Sequence, residues 1–191
     1  MHKLYVLAAL SLCFACSHGS SNTKASSDNG AAAPAPAANH DAFATLEAKS
    51  GSKLVGSARF TRGADGGITA HIVVANASAG LHGVHIHEKG DCSDDKAANA
   101  GGHFNPDGAP HHGPAFGADR HGGDLGNISV DDKGNGQLDV TVTGLNLDGE
   151  GHGIIGRALV VHEKEDDLHS DPSGNSGARI GCGVIQAGAG K

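Results

Sequence analysis

The run Val84-His85-Ile86-His87 sets two imidazoles at alternate positions of an apolar stretch. In a β-strand, alternate side chains share a face. His85 and His87 would then project together, while Val84 and Ile86 turn the other way into a core. Two strand residues at ~3.3 Å each put the two Cβ atoms roughly 7 Å apart. From that distance two imidazoles can lean onto one metal ion, at bond lengths of about 2 Å. Such a pair is half a site, and the remaining donors must come from elsewhere in the chain. Between Lys89 and about Gly123 no strand or helix period can be read, yet the stretch carries Cys92, His103, His111, His112 and His121. A structureless stretch of that length inside a compact domain is usually functional or disordered. With this load of histidine, and a cysteine to staple it, a metal-ordered loop is the better reading. A further histidine, His162, ends the apolar run Ala158-Leu159-Val160-Val161.

The elements that must position these residues are short strands. Alternating or near-alternating apolar runs predict strands over 43–49, 53–61, 68–76, 81–88, 125–130, 137–143, 154–163 and 178–186. In the third, Ile68, Ala70, Ile72 and Val74 share one face, with Thr69, His71 and Val73 on the other. Gly51-Ser52, Arg62 to Gly67 and Asp131 to Gly136 are turn clusters. A second polar loop, Lys164 to Gly177, carries Asp166, Asp167, His169 and Gly174. About eight short strands, no helix of any length and turns every 8–12 residues point to an antiparallel β-sandwich or barrel. His71, on a polar strand face, and the loop residues His152 and His169 are read as solvated surface.

The beginning of the chain is different. Leu4 to Ala15 is almost unbroken apolar after Met1-His2-Lys3. Twelve residues are too few for a mature membrane span, which needs ~20, but suit the apolar part of a secretory signal. A small residue followed by Cys16 resembles the bacterial lipoprotein signal, with residues 1–15 removed and Cys16 lipidated as the first mature residue. Cys13 stands where that signal favours Leu. An ordinary cleaved signal is the plainer alternative. Residues 16–40, rich in Ala, Pro, Ser and Gly, have no apolar period and read as a flexible tether. Residues 41–191 are enough for a single core. The chain holds 31 Gly and no Trp, and its formal charge of −7 makes nucleic acid an improbable partner. With Cys13 and Cys16 assigned to the signal, Cys92 and Cys182 remain, and in an exported chain two such cysteines favour a disulfide.

Six motifs in order resemble a known family: His82-Gly83-Val84-His85-Ile86-His87-Glu88, Gly90-Asp91-Cys92, Gly102-His103-Phe104-Asn105-Pro106, His121-Gly122-Gly123-Asp124-Leu125-Gly126-Asn127, Gly156-Arg157 through His162-Glu163-Lys164, and Gly177-Ala178-Arg179-Ile180-Gly181-Cys182-Gly183. Together they closely resemble copper,zinc superoxide dismutase, over roughly residues 43–187. The resemblance implies an eight-stranded antiparallel Greek-key β-barrel with two long functional loops, one copper and one zinc. It also implies disproportionation of superoxide to oxygen and hydrogen peroxide. Carried over position by position, His85, His87, His103 and His162 look like the copper ligands, and His103, His111, His121 and Asp124 the zinc ligands. His103 would bridge the metals, release and re-form its copper bond in each cycle, and supply a proton to the departing peroxide. His111 stands eight residues after His103 and three before Pro114, as in the family. The spacing to His121 fits His112 instead, so His112 stays open as the alternative. Arg179 matches the arginine that attracts the anion beside copper. Cys92 and Cys182 match the family disulfide. Asp166, with Asp167 as the less favoured neighbour, matches the aspartate that accepts hydrogen bonds from a copper and a zinc ligand, here expected to be His85 and His111. His82 matches a histidine that braces backbone.

The chemistry of the donors agrees with this. Imidazoles without thiolate suit Cu(II), and three histidines with one aspartate suit four-coordinate zinc. The resulting expectation is an exported oxidoreductase of the periplasm or cell envelope, lipid-anchored through Cys16, monomeric or homodimeric, protecting the envelope from superoxide. The alternative is a copper-buffering or copper-delivery module on the same fold, which would lack some of these ligands.

Overall fold

The computed structural model describes residues 42–63 and 66–188. The expected signal, the tether and Cys16 lie outside the described residues. The described residues form nine strands: β1 (Ala42–Ala48), β2 (Val55–Arg62), β3 (Ile68–Ala75), β4 (Gly80–His87), β5 (Asp124–Val130), β6 (Gly136–Val142), β7 (Ala158–His162), β8 (Arg179–Val184) and the two-residue β9 (Gln186–Ala187). Eight of them pair antiparallel in the order β2-β3-β6-β5-β4-β7-β8-β1, and β1 returns to β2, so the sheet closes into a barrel without open edges. β9 adds a short pairing to β1 beyond β8. The non-sequential neighbours β3–β6 and β4–β7 make the Greek-key order.

The predicted strands are all present, with two shortened. The run expected over 154–163 begins only at Ala158, because Arg157 N–H turns back to the Ile154 carbonyl at 3.0 Å and Gly156 has a positive φ of 86°. The last strand is broken at Ile185, whose N–H is diverted to the Arg157 carbonyl at 2.8 Å. The stretch after β4 also contains one short 3₁₀ turn, Ala98–Ala100. No helix among the described residues is long and apolar enough to cross a membrane.

Alternation fills the barrel. In β3, Ile68, Ala70, Ile72 and Val74 face inward while the residues between them are only partly covered. They meet Leu46, Phe60, Ile86, Leu125 and Leu159, each at most 1% exposed. β7, and β4 from His82 onward, depart from this rule and are buried on both faces. A strand covered twice needs a second layer, and here loops provide it. Ala97 and Ala100 pack with Ala158, Val160 and the two cysteines over the outer face of β7 and β8. The loop is sewn to β4 at Ile86: its N–H bonds the Gly123 carbonyl (2.9 Å), its carbonyl accepts from Phe104 N–H (2.8 Å), and Gly123 N–H bonds the Phe104 carbonyl (2.8 Å). A Cβ on Gly123 would stand 2.2 Å from the Ile86 oxygen, so no other residue fits this junction. The outer face of β4 and β7 is thus covered by two long loops.

Candidate metal centre

His85 and His87 stand on that outer face, their ring centroids 6.4 Å apart. Strand register brings β7 beside them, with His85 opposite Val160 and His87 opposite Ala158. His162 ends β7 at a β-bulge and has Arg179 of β8 as its cross-strand neighbour. His162 shares the outer face with Ala158 and Val160 by alternation, and the extra residue of the bulge, Ile180 on β8, brings Arg179 opposite it. The loop returns His103 to the end of β4, in a bridge opposite His87. One donor atom from each of His85, His87, His103 and His162 falls within 4.8 Å of all the others.

Each ring is held so that one nitrogen is occupied and one is bare. His85 Nε2 lies 2.9 Å from Asp166 Oδ2, His87 Nδ1 lies 3.0 Å from the Gly101 carbonyl, and His162 Nδ1 lies 3.3 Å from the Gly177 carbonyl. A carbonyl or carboxylate accepts only, so these ring nitrogens carry the proton and the opposite nitrogens present lone pairs. His85 Nδ1, His87 Nε2, His103 Nε2 and His162 Nε2 are buried without a hydrogen-bond partner among the described residues. Four orphaned, inward acceptors are costly in a protein interior and fit a metal that would satisfy all of them. Burial lowers the His85 pKa to about 4, against the pull of Asp166, and holds His87 and His162 well below the ordinary 6.5. At neutral pH these ligands are therefore neutral and ready to bind without losing a proton.

A second nest shares His103. Its Nδ1 lies 2.8 Å from Asp124 Oδ1, so the two nitrogens of one ring are committed to opposite sides. His85, His103, His112 and Asp124 also bring donor atoms within 4.8 Å of one another. Because His85 Nε2 is taken by Asp166, His85 has one nitrogen to offer and completes the first nest. His121, with Nδ1 bare and 3.5 Å from Asp124 Oδ1, completes the second. His112 Nδ1 approaches Asp124 Oδ2 to 3.1 Å without hydrogen-bond alignment, as two ligands of one ion would. Burial opposes ionisation of His112, but Asp124 and Asp166 raise its pKa to about 9. Burial likewise opposes ionisation of Asp124, and the His103 and His112 contacts outweigh it, holding the carboxyl well below its usual range. A cation held by this nest would have to displace the His112 proton, so that binding would weaken as pH falls.

The expectation for His111 is corrected here. The structure brings His112, not His111, into the nest: His112 is 3% exposed, whereas the His111 side chain is 63% exposed and bonds Asp171 at 2.9 Å. The reason lies outside the local spacing, since Asp166 Oδ1 captures His112 Nε2 at 2.7 Å from the far loop. Asp166 therefore links His85 to His112 rather than to His111. Asp167 is exposed and spends its oxygens on Ser170 and Asn175 within its own loop. His82 braces backbone, its Nδ1 on the His162 carbonyl (2.8 Å) and its Nε2 on the Ser78 carbonyl (2.9 Å).

Arg179 is half-buried, donating from Nη1 to the Ala97 carbonyl and from Nη2 to the Gly101 carbonyl at 2.6 Å. It is the cross-strand partner of His162 and shares the Gly101 carbonyl with His87, and its charge is among the causes that lower the pKa of both imidazoles. Cys92 and Cys182 form a disulfide with a Cα–Cα distance of 5.8 Å, pinning the loop that supplies those carbonyls to β8. Sequence reasoning missed two supports. The Gly101 carbonyl serves both His87 and Arg179, and Asn127 clasps the Asp166 backbone, donating to its carbonyl (2.9 Å) and accepting from its N–H (2.8 Å). Asn127 lies inside a quoted motif, but a glycine carbonyl has no signature in the residue type.

The family described as copper/zinc superoxide dismutase (SODC) matches residues 54–185. A protein of Deinococcus radiodurans named superoxide dismutase (Cu-Zn) is 39% identical over 145 residues, 71% of this chain and 79% of that protein. An extracellular superoxide dismutase (Cu-Zn) of Haemonchus contortus is 44% identical over 118 residues, 59% of this chain and 63% of that one. A copper chaperone for superoxide dismutase of Rattus norvegicus is 44% identical over 117 residues, 58% of this chain but only 40% of its own length. Among solved structures, the clock protein EA4 matches with a TM-score of 0.69 and 36% identity, covering 81% of this chain and 98% of that one. With the family match running from β2 to the end of β8, across both donor nests and the imidazole they share, the chain belongs to the copper/zinc superoxide dismutase family.

Proposed function

We propose that this chain is a superoxide dismutase of the cell envelope, with copper held by His85, His87, His103 and His162 and zinc by His103, His112, His121 and Asp124. The observation that carries the reading is His103, one ring with a nitrogen committed to each nest. Four imidazoles suit copper, and three with a carboxylate suit closed, four-coordinate zinc. Copper supplies one-electron exchange, so that two superoxide anions and two protons become oxygen and hydrogen peroxide.

The chain's own residues shape the rest. Arg179 offers a permanent charge and a fixed fork of donors to an anion approaching the copper ligands. The Ala97 and Gly101 carbonyls fix its aim. His103 Nε2, when released from copper, would take up a proton and deliver it to the departing peroxide, while Asp124 and its companions keep the ring in place through Nδ1. Asp166 ties the two nests together by bonding one ring of each. The apolar run before Cys16 and the Ala/Pro tether support export and lipid attachment.

With full loading, the protein should hold one copper and one zinc per chain and dismute superoxide, measured by superoxide decay beside metal content. A protein that takes zinc only, after reconstitution with copper, would falsify the assignment. The likeness to a copper chaperone favours a second reading, copper delivery. The complete donor set and the aimed Arg179 favour catalysis, and copper handed to an apo-acceptor without superoxide decay would decide for delivery. Arg179→Ala should slow superoxide capture by about tenfold or more, within the 10–10³ that steering supplies, and flatten its dependence on ionic strength. An unchanged rate at low salt would count against steering by Arg179.

A further inference from the structure

His111 and Asp171 are exposed, paired, and unused by the chemistry above. Asp171 also does something else: its Oδ1 accepts the backbone N–H of His112 at 2.6 Å while its Oδ2 takes His111 Nδ1 at 2.9 Å. His112 lies in a segment without helix or strand, so no ladder hydrogen bond fixes its main chain. The second loop grips it twice over, by Asp166 on the ring and by Asp171 on the backbone. The same loop makes room for the ring at Gly174, where a Cβ would stand 1.9 Å from Asp166 Oδ1 and 2.7 Å from His112 Nε2.

We propose that Asp171 is a positioning residue for the zinc ligand His112, with His111 as the outer half of the clasp that aims Asp171. The inference rests on the zinc assignment made above. A residue in a loop loses backbone freedom worth about 1–2 kcal/mol when it is fixed, and a charge-assisted hydrogen bond from the other loop supplies that constraint before metal arrives. Groups that orient ligands in this way typically change metal affinity by 10–100-fold. The clasp also makes zinc affinity depend on the second loop being seated, although His111 and Asp171 touch no metal.

The test uses the copper- and zinc-loaded protein and a chromophoric chelator that competes for zinc. Asp171→Ala should weaken zinc about 10–100-fold, with copper content and the melting of the metal-free protein unchanged. Asp171→Asn keeps an acceptor for the His112 N–H and should recover most of the affinity. His111→Ala should give a smaller loss. Cobalt placed in the zinc position should show an altered visible spectrum in Asp171→Ala and the parent spectrum in Asp171→Asn. Parent zinc affinity in Asp171→Ala, or a parallel fall in copper binding and metal-free stability, overturns the proposal. His112→Ala separates the two readings: zinc binding that survives it sinks the zinc assignment, whereas zinc lost there and kept in Asp171→Ala sinks only the clasp.

Discussion

His103→Ala lowers superoxide dismutation by at least about 10²-fold, within the 10²–10⁴ expected when a positioned proton donor is removed. The loss has two sources. The proton for the departing peroxide no longer has a carrier at the reacting atom. Each nest also falls from four donors to three, so the two metals lose their common support. The fold should survive, because the loop around His103 is held by backbone bonds that an alanine keeps: Phe104 N–H to the Ile86 carbonyl and Gly123 N–H to the Phe104 carbonyl. Superoxide decay followed by stopped flow, beside circular dichroism and metal content, checks the expectation. Activity within a few-fold of the parent, in a protein with full metal, would show that the bridge is dispensable.

The second large effect is on stability. Cys92 and Cys182 are 90 residues apart in sequence. A bridge closing a loop of that length removes denatured-state entropy worth about 4–5 kcal/mol in the chain-entropy account. For a domain of this size, that corresponds to roughly 10–20 °C in melting temperature. Replacing both cysteines by serine, or reducing the bridge, should produce a shift of that order in the metal-loaded protein. Activity should fall as well, because Ala97 and Gly101, whose carbonyls hold Arg179, sit in the loop that the bridge secures. A shift of under about 3 °C would mean that the loops and metals alone hold this layer in place.

The barrel was readable from period and punctuation. Where a strand buries one face, as β3 does, alternation in the residues reports the fold directly. Reading was poorest at the strand ends, such as Ile154 to Arg157, where a run that looks like strand is a turn because Arg157 N–H folds back to the Ile154 carbonyl and Gly156 has a positive φ. Of the site, the strand-borne members were the most legible. His85 and His87 follow from a two-residue period, and His162 from the end of an apolar run. Arg179 and Asp124 emerged only through resemblance to a family, since nothing in a single loop residue announces its partner, whereas the cysteine pair followed already from counting the cysteines left in an exported chain.

His111 and His112 mark the boundary. They are adjacent and chemically identical, in a segment with no period, so local spacing supports either. The choice is made 54 and 59 residues away, where Asp166 takes the His112 ring and Asp171 takes its main-chain N–H, leaving His111 to face solvent. The strand-held imidazoles that opened the reading were dictated by chain geometry, because side-chain direction in a strand is a local property. Which neighbouring imidazole enters a metal nest is a property of contacts between loops, and those exist only once the barrel has closed and laid one loop against the other.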